Sequence, residues 1–333
     1  MTLAVTWRIG LLGDVMLGRG VADRLASVAP EEVWAPELIE ITSSLDLLIC
    51  NLDCCISDRG QPTELVRGKR FFFRAPESAV ASLDAIGVDA VGLANNHALD
   101  FGPDALSDTI RHLKEERIAA AGAGQDLEHA RRGVVISGPA MRLGLVAVSD
   151  HPPEFAAGPA SYGISCANLR KGAPDWLVEE VRRLRQACDL VVAFPHWGPN
   201  MARRPARWQR RVAADLLRAG ADLVAGHSAH VFHGIEQIGR GLVAYDLGDA
   251  LDDYTVDPEL RNDLGVLALW HVGIEGAWLE LVGLFLGYCH TGLATGTDAD
   301  RISDRLETAC GELGTGVERL GEQRFRVAGR GGH

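Results

Sequence analysis

Two histidines stand three residues apart in the segment Gly226-His227-Ser228-Ala229-His230. The segment follows the apolar run 221–225, which is typical of a buried strand. Imidazole nitrogens at this spacing, at the end of a strand, can converge on one metal ion. A single histidine in such a place is more often a hydrogen-bonded core residue, so the metal interpretation depends on which other polar groups reach the same edge.

Other polar clusters also follow apolar runs directly. Asp14 follows residues 8–12, Asp53 follows residues 45–50, Asn96 and His97 follow residues 88–93, and His196 follows residues 189–194. In open α/β sheets, ligands bind at the carboxyl ends of the strands. Asp14 lies in the predicted turn after residues 8–12, where it is about equally well explained as the N-cap of a helix. The candidate metal ligands are Asp14, Asp53, Asn96, His196, His227 and His230.

This mixed set of carboxylate, amide and imidazole ligands suits Mn²⁺, Zn²⁺ or Fe²⁺ better than Ca²⁺. One ion or two fit it, because a shared carboxylate can bridge two ions roughly 3.5–4 Å apart. Asp53 is the predicted bridging carboxylate. One ion would be bound by His227 together with Asp53, Asn96 and His196. The other ion would be bound by His230 together with Asp14 and Asp53. Such a pair favours in-line displacement at phosphorus. Asp14 and His97 are the candidate catalytic residues, with His97 protonating the leaving oxygen.

The elements between these clusters alternate between strands and helices, which predicts an α/β protein. Amphipathic patterns predict helices at 103–116, 174–187 and 205–219, and a strand hairpin is expected at 231–238 and 242–247. A further antiparallel pair is expected at 264–272 and 277–286, and the run Phe71-Phe72-Phe73 is expected in the core. No internal repeat and no linker interrupts the chain before residue 290. The prediction is one domain over residues 1–290 and a C-terminal helical segment with a polar tail over residues 291–333.

Composition excludes several classes of protein. The 333 residues are 47% hydrophobic and 23% charged, and no apolar run approaches the roughly 20 residues of a membrane span. The formal net charge of −12, without a basic block, argues against nucleic acid as a partner. The N-terminus has no signal-peptide pattern, so a cytoplasmic location is expected. The seven cysteines lack a CxxC pair and are expected to be reduced core residues.

Four motifs together resemble those of the CapA-type poly-γ-glutamate capsule synthesis family, which is itself similar to the calcineurin-like metallophosphoesterases. They are Gly13-Asp14-Val15-Met16-Leu17-Gly18-Arg19, Leu93-Ala94-Asn95-Asn96-His97-Ala98-Leu99-Asp100-Phe101-Gly102, His196-Trp197-Gly198 and Tyr245-Asp246-Leu247-Gly248-Asp249. The resemblance covers almost the whole chain. It implies a calcineurin-like four-layer α/β/β/α sandwich, with two mixed central sheets and a metal centre at the strand ends.

The chain departs from the patterns of these families at four positions. Calcineurin-like enzymes usually carry DxH at the first motif, where this chain has Met16 two residues after Asp14. The capsule family usually has Glu at the position of Asp53, His at that of Ser228 and Asn at that of Asp249. Asp249 is therefore a candidate replacement for a lost ligand.

The expected function is that of a metal-dependent hydrolase acting on a phosphate ester. Two alternatives stay open: synthesis or processing of a γ-glutamyl amide, and non-catalytic polymer binding with a degenerate metal site. Arg19, Arg74 and Asn95 are the candidate substrate-binding residues, because a guanidinium matches phosphate and carboxylate alike. The expected partner is a small-molecule or γ-glutamyl substrate that carries one of these groups.

Overall fold

The apolar runs of the sequence form the strands of two large β-sheets, beside two short two-stranded sheets, in a computed structural model of the chain, which describes residues 7–138, 141–274 and 276–329. The strands are β1 (Trp7–Val15), β2 (Leu47–Leu52), β3 (Cys55–Ile56), β4 (Arg74–Ala75), β5 (Ala90–Gly92), β6 (Ala119–Ala121), β7 (Ala123–Gly124), β8 (Val134–Ser137), β9 (Arg142–Ser149), β10 (Gly163–Ile164), β11 (Leu190–His196), β12 (Leu223–Ala225), β13 (Ile235–Ile238), β14 (Gly241–Ala244), β15 (Asp249–Leu251), β16 (Leu264–Gly273), β17 (Gly276–Gly287), β18 (His290–Leu293), β19 (Thr315–Arg319) and β20 (Arg324–Gly329). The α-helices are α1 (Arg19–Leu25), α2 (Pro36–Ser43), α3 (Ala81–Ala85), α4 (Gly102–Glu115), α5 (Leu127–Arg131), α6 (Asp175–Ala187), α7 (Arg207–Ala219) and α8 (Gly296–Glu312).

Both sheets are mixed. The larger sheet has the order β19-β20-β17-β16-β1-β2-β5-β6, in which β1, β2, β5 and β6 are parallel and the other neighbours pair antiparallel. The smaller sheet has the order β13-β14-β12-β11-β9-β8, with antiparallel strands at its two edges. The carboxyl ends of the parallel strands carry the polar clusters that the sequence places after its apolar runs.

The two sheets pack face to face, with helices on both outer sides. Along β11, Val192 and Phe194 point into the core between the sheets, whereas Val191 and Ala193 point outward, against α6 and α7. Along β2, Ile49 joins the core between the sheets, and its neighbours on the strand pack on the outer side with α2, α3 and α4. This alternation is what a strand covered on both faces requires. The four layers confirm the predicted α/β/β/α sandwich.

Strand β1 runs further than predicted, and this places Asp14 inside a strand rather than in a turn. Asp14 pairs in register with Asn51 of β2 and, on its other side, with Asp249 of β15. Gly13 permits this close approach, because a Cβ at that position would lie 1.8 Å from the carbonyl oxygen of Gly248. The non-local pairing with β15 thereby brings a second carboxylate to the end of β1.

The chain after residue 290 contributes to the same sheet and core. Strand β20 extends the larger sheet beyond β17, and Ile302 and Leu306 of α8 pack in the core between the sheets. Strands from both sides of residue 290 belong to one sheet. The predicted domain boundary at this residue remains a prediction. The last four residues of the predicted tail, 330–333, lie outside the described residues.

Two predictions about the core have different outcomes. The Phe71-Phe72-Phe73 run is only partly in the core, because Phe73 is buried whereas Phe71 is 61% exposed beside a cavity. All seven cysteines are free, and six of them are buried, as the sequence predicts. Within the residues that the structure describes, no helix combines the length and apolarity needed to cross a membrane.

Candidate metal centre

Asp14 lies where the carboxyl edges of the two sheets meet, and its side chain is buried. It belongs to two groups of possible ligands, one with His196 and His227 and the other with His230 and Asp249. In each group the ligand atoms lie within 4.8 Å of one another. Ligands of one Zn²⁺ ion, with bonds of about 2.0–2.2 Å, have comparable mutual distances. Asp14 is the carboxylate common to both groups, a position that the sequence analysis gives to Asp53.

The histidines of the first group face each other from neighbouring strands. His196 ends β11, and a backbone bridge joins it to His227, just after β12. Their Nδ1 atoms are 2.8 Å apart and lie 4.0 and 3.4 Å, respectively, from Oδ1 of Asp14. Burial and the adjacent His227 ring lower the pKa of His196, and burial, followed by His230, lowers the pKa of His227 to about 3. Both rings are therefore neutral near pH 7, which is the form that binds a metal.

His230 belongs to the second group through its Nδ1 atom. This nitrogen lies 2.8 Å from Oδ1 of Asp249 and 3.6 Å from Oδ2 of Asp14. Burial disfavours a charged ring, but Asp249 and Asp14 outweigh burial and raise the pKa of His230 well above its usual value. The carboxylates of this group therefore draw positive charge into the site.

The turn that carries His227 and His230 has an unusual backbone. The φ angles are 111° at Ser228 and 60° at His230, in a region that non-glycine residues rarely adopt. Asp246 holds the turn, because its carboxylate accepts hydrogen bonds from the backbone N–H groups of Ala229 and Gly248 at 2.8 and 2.9 Å. Such strain persists only where the surroundings fix it, and here it aims His230 at Asp14.

Several buried polar atoms in this cluster have no hydrogen-bond partner among the described residues. They are Oδ2 of Asp14, both carboxylate oxygens of Asp53, Nε2 of His227 and Oδ2 of Asp249. Burial raises the pKa of Asp14 well above its usual value, with Asp53 adding to the effect, and burial also raises the pKa of Asp53. Buried carboxylates without partners are costly, and a divalent cation would satisfy them together. The donor set therefore fits a divalent metal ion.

A chain of buried groups orients His97. Its Nδ1 atom lies 2.6 Å from Oδ2 of Asp100, and its ring stacks on Phe73 at 3.9 Å between centroids. The ammonium of Lys69 pairs with Asp100 at 3.0 Å and donates to the backbone carbonyl of Asn96 at 2.7 Å. Since Asp100 engages Nδ1, Nε2 is the nitrogen available for proton transfer.

The two asparagines before His97 have different environments. Asn95 is fully buried: its amide donates to Oδ1 of Asn51 at 3.2 Å and to the carbonyl of Leu52 at 2.7 Å, and its oxygen accepts from the backbone N–H of His97. These contacts occupy the side-chain amide of Asn95 within the protein, so its substrate-binding role stays a prediction that this geometry does not support. Asn96, the predicted ligand, is half-buried.

The two predicted substrate arginines are also separated. Arg19 reaches a cavity of about 310 Å³ that opens beside His97 and His230. Arg74 does not line this cavity, because its guanidinium donates to the carbonyls of Arg59 and Gly60 and lies over the ring of Phe101. Its predicted substrate role has no support in this geometry.

Comparison with known proteins places the chain in a family. The model of the family described as "Bacterial capsule synthesis protein PGA_cap" matches residues 8–254. The chain belongs to this family. The resemblance predicted from the four sequence motifs is thereby confirmed.

Two PGA_cap relatives illustrate the level of similarity. The chain is 26% identical over 247 residues to the capsule biosynthesis protein CapA of Bacillus anthracis, covering 73% of this chain and 59% of that protein. It is 30% identical over 281 residues to a probable polyglutamine synthesis accessory protein of Mycobacterium tuberculosis, covering 73% of each. The chain thus spans about three fifths of the length of the Bacillus anthracis relative.

Solved structures with similar folds include the calcineurin-like phosphoesterase YfkN from Bacillus subtilis, at 10% identity and a TM-score of 0.46, covering 93% of this chain and 99% of that one. Another is a hypothetical protein from Thermus thermophilus, at 15% identity and a TM-score of 0.42, covering 86% and 96%. Both scores are low, and the four layers of this PGA_cap chain define its fold independently of them.

The structure shows the surroundings of two residues, Met16 and Asp249, at which this PGA_cap chain departs from the expected motifs. Met16 is fully buried in the apolar core, where its sulfur accepts a hydrogen bond from the backbone N–H of Gly18 at 3.0 Å. Asp249 stands beside His230 and Asp14 because β15 pairs with β1. The carboxylate of Asp249 therefore lies where it could hold a metal ion together with His230 and Asp14.

Sequence reasoning missed four polar side chains around the site of this PGA_cap protein. Asp100 has a sequence signal, since it stands three residues after His97 in the same cluster. His151 follows strand β9, and its ring centroid lies 5.3 Å from that of His196, so the strand-end pattern could have found it. Lys69 and Tyr254 lie in loops without a local signal, and only the tertiary structure brings them to the site.

Replacing His230 with alanine is expected to lower the metal content of the purified protein by about one equivalent, because one group loses a ligand while Asp14, His196 and His227 remain. The measurement is elemental analysis after desalting. His290→Ala, on strand β18 and outside both groups, is the matched control. Unchanged metal content in His230→Ala, or loss of all metal, would contradict the division into two groups.

Proposed function

We propose that this chain is a metal-dependent hydrolase that cleaves a phosphate ester. The observation that carries the proposal is the set of unpartnered buried donors around Asp14, next to a cavity that His97 lines. A purely structural cluster would be expected to satisfy its carboxylates within the protein. Asp14 and Asp249 instead lie beside His230, which lines the cavity together with the oriented ring of His97.

Two metal positions follow from the groups that share Asp14. His196 and His227 would complete one position, and His230 and Asp249 the other. Asp53, whose two carboxylate oxygens have no hydrogen-bond partner among the described residues, would supply a further carboxylate to the cluster. The imidazole and carboxylate donors suit Mn²⁺, Zn²⁺ or Fe²⁺.

The metal supplies one part of the chemistry and the protein the other. Divalent ions in such a site act as Lewis acids, which lower the pKa of water and stabilise negative charge on oxygen. His97 holds a proton at Nε2 and delivers it to the leaving oxygen, while Asp100 accepts the hydrogen bond from Nδ1 and stabilises the charged ring. Lys69 fixes Asp100 in turn. Asn95 accepts a hydrogen bond from the backbone N–H of His97 and so positions that backbone. Its amide donates to Asn51, whose own amide donates to Asp14 at 2.8 Å, so hydrogen bonds connect this segment to the candidate metal ligands.

The names of the relatives support a second candidate, chemistry on a γ-glutamyl amide of polyglutamate. A metal site with a proton donor can serve either amide or ester hydrolysis, so the ligands alone do not discriminate. The cavity favours the phosphate ester, because the one arginine that lines it among the described residues is already paired with Asp253. A polymer of carboxylates needs cations in its binding site.

The deciding experiment is a metal-reconstituted screen. The chelated protein is loaded with Mn²⁺, Zn²⁺ or Fe²⁺ and assayed in parallel with phenyl phosphate, diphenyl phosphate and γ-glutamyl anilide. Metal-dependent release of phenol without release of aniline is expected. Release of aniline alone would favour the γ-glutamyl alternative, and no turnover of any substrate with each metal would favour a binding protein.

A further inference from the structure

One wall of the cavity beside the metal centre is apolar. Phe71, Phe73 and Met201 line it, and the ring of Tyr254 lies 5.7 Å from that of Phe73 at an angle of 31°. Phe71 is 61% exposed, so its ring is open both to the cavity and to solvent. The wall begins at His97, whose ring stacks on Phe73, so it starts where the leaving oxygen receives its proton.

The positive charge of Arg19 in this cavity is neutralised by a carboxylate of the protein itself. Arg19 is the one lysine or arginine among the described residues that line it. Its Nε and Nη2 atoms donate to the two carboxylate oxygens of Asp253 at 3.1 and 2.5 Å, and its guanidinium lies 5.1 Å from the ring centroid of Phe73. The fork that would clamp a substrate carboxylate is therefore occupied by the protein's own carboxylate.

Tyr254 supplies the polar end of this cavity. Its hydroxyl is buried and has no hydrogen-bond partner among the described residues, and its ring meets that of His230 edge-on at 5.3 Å. A buried hydroxyl without a partner is costly, and a ligand oxygen at the metal end of the cavity would satisfy it.

We propose that this cavity binds the alcohol part of a phosphate monoester and selects an uncharged aromatic or other apolar group. Phe71, Phe73 and Met201 contact that group, and the Tyr254 hydroxyl donates to an oxygen of the ester. An acidic group in the same place would lose its hydration against aromatic faces and gain no free cation. This inference rests on the proposed function in one respect, which is that the group bound at the metal centre is a phosphoryl group.

Calorimetric titration of the Mn²⁺-loaded protein with two non-hydrolysable probes tests this selectivity. Phenylphosphonate and 4-carboxyphenylphosphonate share the phosphoryl group and the ring, and they differ in one carboxylate. Phenylphosphonate is expected to bind about tenfold more tightly or better. Equal affinities, or tighter binding of the carboxylated probe, would overturn the proposal.

Two variants locate the effect in this cavity. Phe71→Ala is expected to weaken phenylphosphonate about tenfold, whereas Leu65→Ala, a 56% exposed residue of the same loop that does not line the cavity, leaves it unchanged. Asp253→Asn releases the charge of Arg19 and is expected to strengthen binding of the carboxylated probe about tenfold. Unchanged affinities in both Phe71→Ala and Asp253→Asn would place the binding elsewhere and contradict the proposal.

Turnover of phenyl phosphate, measured on the same samples, separates this inference from the proposed function. Turnover with equal binding of the two probes would contradict the cavity proposal alone. The predicted order of binding without turnover under any metal would contradict the hydrolase proposal and leave the selectivity of the cavity supported.

Discussion

Asp14→Asn is expected to remove metal-dependent activity almost completely while making the metal-free protein more stable. Both ligand groups contain Asp14, so its loss weakens both metal positions. The expected fall in kcat/KM is roughly 10³-fold or more, because each ion contributes several kcal/mol of charge stabilisation. The measurements are kinetics with phenyl phosphate and elemental analysis of the same preparation.

The gain in stability has a distinct pH dependence. Burial and the neighbouring Asp53 raise the pKa of Asp14, so the folded metal-free protein retains a proton there that the unfolded chain has lost above its ordinary value. The wild type therefore loses stability as the pH rises from about 4 through the raised pKa, and the neutral asparagine avoids this loss. The advantage of Asp14→Asn in chelated protein should widen with pH, to on the order of 1–3 kcal/mol.

Urea unfolding of both chelated proteins between pH 4 and 8 measures this difference. Asp89→Asn is the control, because Asp89 is a half-buried carboxylate at the amino end of β5 that accepts from the backbone N–H of Leu48 at 2.8 Å, away from the ligand groups. Its activity should stay near that of the wild type. An Asp14→Asn protein that keeps its full metal content and activity would contradict the shared role of Asp14.

His97→Ala is expected to lower kcat by about 10²–10⁴-fold on esters of poor leaving groups while the metal content stays unchanged. His97 is outside both ligand groups, and Asp100 orients its ring for proton transfer. The deficit should shrink with 4-nitrophenyl phosphate, because nitrophenolate leaves without a proton. Rates with phenyl and 4-nitrophenyl phosphate, compared within each variant, give this dependence.

The matched control for His97→Ala is His129→Ala, which alters an exposed histidine in a short helix. It should behave as the wild type with both esters. An equal loss with both esters in His97→Ala would indicate a positioning role and contradict proton delivery to the leaving oxygen.

The sequence predicts the edge on which the site lies because the physical signals are local. Apolar runs of strand length end in polar residues, and parallel strands bring such ends together. This reasoning correctly places His196 and His227 side by side, since neighbouring strands β11 and β12 carry them. It also identifies the family from the spacing of four motifs, which the match over residues 8–254 confirms.

The contacts that the sequence does not predict depend on non-local pairing. Asp14 rather than Asp53 is shared by the two groups because β15, which begins only at Asp249, pairs with β1. Asn95 turns inward to Asn51 and Leu52, although it precedes Asn96 by one residue, because the chain bends directly after β5. Arg19 forms an ion pair with Asp253, and no local sequence pattern predicts a partner so distant in sequence.

Anomalous X-ray diffraction from crystals of the Mn²⁺-loaded protein would decide whether Asp14 is shared by two metal positions, because it places each ion among its ligands. Two peaks about 3.5–4 Å apart are expected on either side of the Asp14 carboxylate, one near His196 and His227 and the other near His230 and Asp249. An absence of any peak within bonding distance of Asp14 would contradict a metal centre at this residue.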